Sequence, residues 1–261
     1  MQTLRRPAVA GLFYPADPAE LRADVAAYLA AAPAVQGPPP KALIAPHAGY
    51  VYSGAVAASA YARLRVAADR IRRVVLLAPA HRLPFRGLAV PDAVAFLTPL
   101  GRIPVDRAAL ATVADLPQVV AMDAAFDGEH ALEVHLPFLQ SVLGDFALAP
   151  FVVGDAEADE VAAVLDRLWD GEETLIVVSS DLSHYLDYDA AKARDGRTTR
   201  RIEALDPSVG YHDACGRNPV NGLLTVARRR GLAVETVDLR NSGDTAGPRD
   251  RVVGYGAYVF H

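Results

Sequence analysis

Three histidines of this sequence lie close behind short apolar runs. His47 follows residues 41–45 and His81 follows residues 73–78, and a proline stops both runs. His184 stands at the end of a third such stretch, Thr-Leu-Ile-Val-Val followed by Ser-Ser-Asp-Leu-Ser-His. Runs of this length are typical of buried parallel strands, and ligand crevices of open α/β sheets lie at the carboxyl ends of such strands. We therefore expect three imidazoles at one sheet edge, which indicates a metal site.

Each of these residues also has a structural interpretation. His47 could be the hydrogen-bonding residue of the Pro-His-Ala-Gly-Tyr turn, and His81 taken alone is equally ambiguous. Asp181 could be a helix cap, with His184 exposed in the first turn. On a helical turn the spacing of three would put Asp181 and His184 on one side, where the carboxylate orients the imidazole. Together, His47 and His81 are best explained as metal ligands.

The sequence has one cysteine, Cys215. A single cysteine excludes an intramolecular disulfide, an all-cysteine zinc ribbon and a cysteine-ligated iron–sulfur cluster built from this chain alone. A buried cysteine most often acts as a small hydrophobic residue. Here Gly216, Asn218 and Pro219 indicate a loop that enters a helix N-terminus, where the helix dipole favours thiolate. Packing, metal ligation and nucleophilic reaction all stay open for this side chain.

A fourth group of polar residues lies in the segment Glu129-His130-Ala-Leu-Glu133-Val-His135. His130 and His135 are five residues apart, so on a helix they point away from each other, and the segment is not the HExxH zinc signature. We expect these four side chains on the polar face of a helix over residues 129–143, which the proline within it bends or divides. This interpretation leaves them outside the pocket, and the alternative, that they reach the pocket, stays open.

The predicted elements alternate along the chain. The first helix runs to about residue 32 with Asp17 as its cap, and an alanine-rich helix capped by Ser53 runs to about residue 64. Further helices are predicted over residues 106–114, 156–169, 188–205 and 218–230, and further strands over residues 87–90, 94–97, 118–122, 147–153, 233–239 and 252–260. The sequence shows no repeat or linker. We predict one α/β domain over residues 1–261, with a mixed, largely parallel central sheet flanked by helices.

Composition excludes several classes of protein. Hydrophobic residues make up 52% of the 261 residues and charged residues 22%, which favours a folded chain. The 26 Lys and Arg against 31 Asp and Glu, a net charge of −5, lack the basic excess of nucleic-acid binding proteins. The uncharged residues 42–62 contain Pro46 and Gly49, which a spanning helix would not tolerate. We expect a cytoplasmic protein without membrane or nucleic-acid partners, because the N-terminal apolar stretch is too short for a signal peptide.

Six motifs occur in order along nearly the whole chain. They are PAVAGLFYP from Pro7, APHAGYVYSG from Ala45, EHALEVHLPF from Glu129, SSDLSHY from Ser179, CGRNPV from Cys215 and SGDT from Ser242. Together they resemble the Memo family, whose bacterial and archaeal members are called AmmeMemoRadiSam system protein B.

The resemblance implies a fold similar to that of class III extradiol dioxygenases, non-haem iron enzymes that open catechol rings with dioxygen. By motif, His47 and His81 correspond to their two ligand histidines, and Cys215 takes the place of their third ligand, a glutamate. His184 resembles their acid/base histidine, and Asp181 lines the same pocket. The implied cofactor is a divalent metal, iron first, with copper or zinc as alternatives because thiolate is softer than carboxylate.

Three functions are compatible with these residues. The first is a metal-dependent oxidoreductase in which His184 transfers protons and Asp181 orients it or supplements the metal shell. The second is a non-catalytic protein that binds metal, a small molecule or a peptide in this cleft and acts with radical-SAM system proteins, beside which prokaryotic relatives tend to be encoded. The third is a Cys-His hydrolase with Cys215 as nucleophile. The hydrolase ranks last because it leaves His47 and His81 without roles.

Overall fold

The computed structural model describes residues 3–34 and 37–261 of the chain. Within them the strands are β1 (Leu4–Arg5), β2 (Ala42–Ala45), β3 (Arg73–Pro79), β4 (Leu88–Val90), β5 (Ala95–Thr98), β6 (Gly101–Pro104), β7 (Val119–Ala121), β8 (Ala147–Val153), β9 (Thr174–Ser179), β10 (His184–Leu186), β11 (Val234–Asn241) and β12 (Val252–Phe260). The helices are α1 (Pro18–Ala31), α2 (Tyr50–Tyr61), α3 (Arg107–Ala111), α4 (Leu136–Leu143), α5 (Ala158–Leu168), α6 (Tyr188–Glu203), α7 (Arg217–Arg230) and α8 (Ser242–Thr245). Short 3₁₀ turns span Ala62–Ala67, Asp123–Phe126 and Glu133–His135.

Nine of these strands form one mixed sheet. Its order is β10-β12-β2-β9-β3-β8-β4-β7, and β11 also pairs with β12. The four central strands β2, β9, β3 and β8 are parallel, whereas β12 and β4 join them antiparallel on either side. A separate three-stranded sheet has the order β1-β5-β6. The predicted α/β fold, with a largely parallel central sheet flanked by helices, is confirmed.

The central strands end at one level because of their register. Ala45 of β2 pairs with Ser179 of β9, and Leu77 of β3 pairs with Val178 of β9. From Ala42 to Ala45 every residue of β2 is buried, as is every residue of β9, which explains their unbroken apolar sequences. The residues that follow β2, β3 and β9 therefore emerge together at one sheet edge.

Helices cover the sheet and complete the core. Helix α2 packs on β2, β11 and β12, and α1 and α4 pack against α2. Helices α5 and α7 pack on each other, and α7 contacts β3 and β9. A Cβ atom at Gly222 of α7 would overlap the side chain of Val161 on α5, so glycine is what lets these two helices approach so closely. Of the helices in the described ranges, none combines the length and apolar character needed to cross a membrane.

Three local predictions are wrong, and each has an identifiable cause. Helix α2 begins at Tyr50 with Gly49 as its N-cap, because the Ser53 hydroxyl donates to the Ala48 carbonyl and caps no backbone N–H group. The helix predicted over residues 129–143 begins only at Leu136, after a 3₁₀ turn. Its proline lies in the first turn of α4, where the missing N–H group costs nothing. The chain from Asp181 to His184 forms no helical turn and runs into strand β10.

Candidate metal centre

A cavity of about 1170 Å³ opens at the carboxyl ends of β2, β3 and β9. It is lined by all five side chains that the sequence singled out, which are His47, His81, Asp181, His184 and Cys215. His130 also lines this cavity, although the sequence favoured a helix face outside it. The strand-end argument thus brings together residues separated by up to 168 positions in the sequence.

Three imidazoles converge in this cavity. His47, His81 and His130 each offer a ligand atom, and these atoms all lie within 4.8 Å of one another. Their ring centroids are 5.0 to 5.5 Å apart. This group is able to hold a metal ion, because neutral imidazole nitrogens at such separations can share one cation.

The His47 ring is fixed in one tautomer by its neighbours. Its Nδ1 lies 2.6 Å from Ser179 Oγ, and that hydroxyl donates its single hydrogen to the Ala131 carbonyl at 2.6 Å. Ser179 Oγ must therefore accept from His47 Nδ1–H, which leaves the Nε2 lone pair for a ligand. Burial lowers the pKa of His47 well below its ordinary value, so the ring stays neutral, as a metal ligand must.

A buried carboxylate orients His81. Glu129 Oε1 lies 3.0 Å from His81 Nδ1, and Glu129 Oε2 accepts from the His81 backbone N–H at 2.7 Å. Burial opposes ionisation of this carboxyl group, but the His81 ring and the backbone donors outweigh it and lower the pKa of Glu129. An ionised carboxylate only accepts, so His81 donates from Nδ1 and keeps Nε2 for a ligand. Carboxylate–histidine pairs of this kind orient and tune metal ligands.

Cys215 lies beside the free nitrogen of His47. The distance from Cys215 Sγ to His47 Nε2 is 3.3 Å, and the Asp181 backbone N–H donates to the sulfur, also at 3.3 Å. Burial, and then the charge of Asp181, raise the pKa of the thiol, so it carries a proton until a cation displaces it. A Cβ atom at Gly216 would overlap the Ser179 carbonyl, so this glycine permits the close approach of the Cys215 loop to β9.

These distances fit the requirements of a metal ion. A tetrahedral cation with bonds of about 2.3 Å to sulfur and about 2.0 Å to nitrogen separates the two ligand atoms by roughly 3.5 Å. The 3.3 Å between Cys215 and His47 matches that edge. The three-histidine group is wider, with atoms up to 4.8 Å apart, and its rings would have to draw together by about 1 Å around the same cation.

Asp181 and His184 occupy different parts of the cavity. Asp181 is buried, and its Oδ1 accepts from the His47 backbone N–H at 2.8 Å, while burial raises the pKa of its carboxyl group. His184 is exposed, and its Nδ1 donates to the Leu182 carbonyl at 2.9 Å. Over the described ranges no hydrogen bond joins Asp181 to His184. The imidazole beside Cys215 is His47, which disfavours a hydrolase with His184 as the base.

The segment from Glu129 to His135 divides between the cavity and the core. The Glu133 carboxylate is buried and accepts from the backbone N–H groups of Ala8 and Val9, at 2.6 and 3.0 Å, and from the Tyr14 hydroxyl at 2.6 Å. It thereby anchors the N-terminal loop, whose Phe13 packs 4.8 Å from the His130 ring. His135 is buried elsewhere and bonds the Tyr61 hydroxyl at 2.8 Å. A sequence signal that could have indicated the role of Glu133 is its place between Leu132 and Val134, ahead of the apolar residues 136–139.

Fold and site together define an α/β protein with a group of three histidines, able to hold a metal ion, at the ends of its parallel strands. Residues 5–259 match the model of the Memo family, described as Memo-like protein. The chain is 33% identical over 272 residues to a MEMO1 family protein of Aquifex aeolicus, covering 98% of this chain and 99% of that one. It is 35% identical over 275 residues to MEMO1 family protein MTH_45 of Methanothermobacter thermautotrophicus, covering 97% and 98%. A MEMO1 family protein of Aeropyrum pernix is 34% identical over 278 residues, with 97% and 98% covered. The chain therefore belongs to the Memo family.

Proposed function

We propose that this protein binds a divalent metal, iron in the first place, and acts as a non-haem metal-dependent oxidoreductase. One observation carries the proposal: a protein acceptor holds Nδ1 of both His47 and His81, which leaves Nε2 of both rings for one cation. Cys215 is proposed as the third ligand because its sulfur lies at ligand-edge distance from His47. The family resemblance supports the same three residues.

The other side chains around this site have separate roles. Iron(II), when bound, supplies one-electron chemistry toward dioxygen that no side chain here provides. Ser179 and Glu129 hold the two imidazoles in the required tautomer, so little reorganisation accompanies metal binding. Exposed His184 keeps Nε2 for a proton of the substrate, since its Nδ1 is engaged by a carbonyl. Asp181 accepts from the His47 backbone N–H and places its other oxygen 3.9 Å from His47 Nε2, where it would supplement the metal shell.

Metal content of tag-free protein tests the ligand set. After anaerobic loading with iron(II) and desalting, we expect elemental mass spectrometry to find about one equivalent of iron per chain. The variants H47A, H81A and C215A should lose this iron. H212A is the matched control, because His212 lines the same cavity but belongs neither to the three-histidine group nor to the proposed ligand set. Protein that stays metal-free under every loading condition would overturn the proposal, and retention by C215A with loss by H130A would replace Cys215 by His130.

Oxygen consumption tests the reaction. Iron-loaded protein should consume dioxygen above background with at least one member of a broad catechol panel, and H184A should lower that rate without removing iron. Background consumption by protein that binds iron tightly would contradict the oxidoreductase proposal. That result would favour a non-catalytic metal-binding protein acting with radical-SAM system proteins.

A further inference from the structure

The outer part of the cavity is unusually aromatic for a solvent-exposed surface. Among the described residues, the aromatic side chains that expose the largest fractions are Tyr52, Tyr185 and Tyr211, at 40%, 63% and 75%. All three line the cavity that contains the histidines. Exposed aromatic groups gathered around a concave site are typical of a surface that packs on a ligand.

The guanidinium group of an arginine lies over the ring of two of these tyrosines. Arg251 Cζ lies 4.4 Å from the ring centre of Tyr185, and Arg217 Cζ lies 5.2 Å from that of Tyr211. Both arginines line the cavity. Over residues 3–34 and 37–261, neither guanidinium forms a salt bridge or donates a hydrogen bond to the protein. Their N–H groups therefore remain for a ligand, while the tyrosine rings limit their motion. We call these four side chains the rim.

The backbone at Tyr185 is strained in a way that builds this rim. Tyr185 has φ of +62°, in the left-handed region, and lies at a register shift between β10 and β12. This conformation is unfavourable for any residue other than glycine. The shift sends the Tyr185 ring outward beneath Arg251, with the His184 ring 5.6 Å away. Strain of this kind is tolerated where it positions a group for binding.

The charge of the cavity favours an anion. Its lining includes the guanidinium groups of Arg194, Arg217 and Arg251, against the carboxylates of Asp155 and Asp181. Arg194 donates to the His212 carbonyl, and Asp181 is engaged at the histidine end. Although the net charge of the protein is −5, two guanidinium groups without an acidic partner among the described residues, those of Arg217 and Arg251, line this cavity. Such a local excess attracts and orients anionic ligands.

We propose that the rim binds the oxyanion of a small aromatic molecule, with a carboxylate or phosphate on Arg217 and Arg251 and the ring against Tyr185 and Tyr211. Carboxylate and phosphate share the geometry that a guanidinium recognises by paired hydrogen bonds. The other end of such a molecule extends toward the histidines, and this last part rests on the proposed metal function. Binding of the oxyanion itself requires no metal.

Calorimetric titration of chelator-treated, metal-free full-length protein tests the proposal. The probes are benzoate, phenyl phosphate, neutral benzamide and acetate, which lacks a ring. We expect benzoate or phenyl phosphate to bind at least about 10-fold more tightly than benzamide, which lacks the negative charge that a guanidinium group binds. The same anion should also bind more tightly than acetate, which keeps the charge but lacks the ring that packs on the tyrosines. Whichever of benzoate and phenyl phosphate binds more tightly shows whether the rim prefers a carboxylate or a phosphate. If neither benzoate nor phenyl phosphate binds more tightly than both benzamide and acetate, the proposal is overturned.

Variants locate the site. R217Q and R251Q should each weaken binding of the preferred anion by about 10-fold. R249Q is the matched control, because Arg249 Cζ lies 4.4 Å from the Tyr188 ring centre but does not line the cavity. Equal losses in R249Q and R251Q would contradict the assignment. Because the titration uses metal-free protein, failure here and failure of the metal proposal are separate results.

Discussion

The two ends of the cavity are built on opposite principles. At the inner end, which we call the floor, the side chains are those of His47, His81, His130, Asp181 and Cys215. His47 and Asp181 are buried, His130 and Cys215 are half-buried and His81 is exposed. In the described part of the chain, hydrogen bonds to other protein groups hold all of them except His130. At the rim, Tyr185 and Tyr211 are exposed and the two arginines keep their donors unused. A floor held in this way suits a small ligand of fixed geometry, such as a cation. The rim suits a larger and exchangeable ligand.

The largest expected effect separates the floor from the rim. His47→Ala removes one proposed ligand, and four-ligand zinc sites bind with about 10 to 16 kcal/mol, or roughly 3 kcal/mol for each ligand. Metal affinity should therefore fall by roughly 100- to 1000-fold in a competition with a chromogenic chelator. H212A should bind metal like the parent protein. Equal affinities of H47A and H212A would show that His47 is not a metal ligand.

The next effect tests the support of the floor. Glu129→Gln keeps the shape of the side chain but removes the carboxylate that orients His81, so metal affinity should fall by about 10- to 100-fold. Glu133→Gln, four residues away, is the matched control. It should leave metal affinity unchanged and lower the free energy of unfolding in urea by about 1 to 3 kcal/mol, because an NH2 donor replaces one of the two buried oxygens that accept from Ala8, Val9 and Tyr14. A reversed pattern would contradict the roles assigned to these two carboxylates.

The pH dependence of metal binding decides between a sulfur and a third imidazole at the floor. Burial raises the pKa of the Cys215 thiol and lowers the pKa values of His47 and His130. Between about pH 7 and 8.5 the thiol must lose a proton to bind metal, whereas these two imidazoles are already neutral.

Affinity should therefore rise about 10-fold per pH unit in the parent protein, with one proton released into a weak buffer per metal bound. C215A should lose this dependence along with most of its affinity. A flat profile in the parent protein would exclude Cys215 as a ligand and favour His130.

The smallest effect concerns the backbone of the rim. Tyr185→Gly and Tyr185→Ala both remove the ring, but only glycine relieves the left-handed conformation. The glycine variant should be more stable than the alanine variant by about 1 kcal/mol in urea unfolding. Equal stabilities would mean that this conformation stores no strain.

Local sequence patterns were sufficient for much of the sheet. Unbroken apolar runs ending at Pro46 and Pro79 predicted two central strands to within a residue or so at each end. Asp17 was correctly predicted as the cap of α1, because its side chain accepts from N–H groups two and three residues along the chain. Such features depend on residues that are close in the sequence, so all the interacting groups can be identified from the sequence.

The position of His130 was not predictable in the same way. Its segment has helical periodicity, but Glu129 bonds the His81 backbone and ring, 48 residues away, and this pairing replaces the first turns of the expected helix. The rim was not predictable either, since Tyr185, Tyr211 and Arg251 come from three separate segments of the sequence. Local sequence patterns do not indicate hydrogen bonds or contacts between segments that are distant in the sequence.

The sequence alone therefore determined the parallel strands, the edge at which they end and five of the polar residues that line the cavity there. It did so because strand burial and strand direction follow from short apolar runs. Only the tertiary structure decided which nitrogen of each histidine remains for a ligand, that Cys215 lies beside His47, and that a cationic, aromatic rim surrounds them. These features depend on distances between distant residues and on the hydrogen-bond partners that folding supplies.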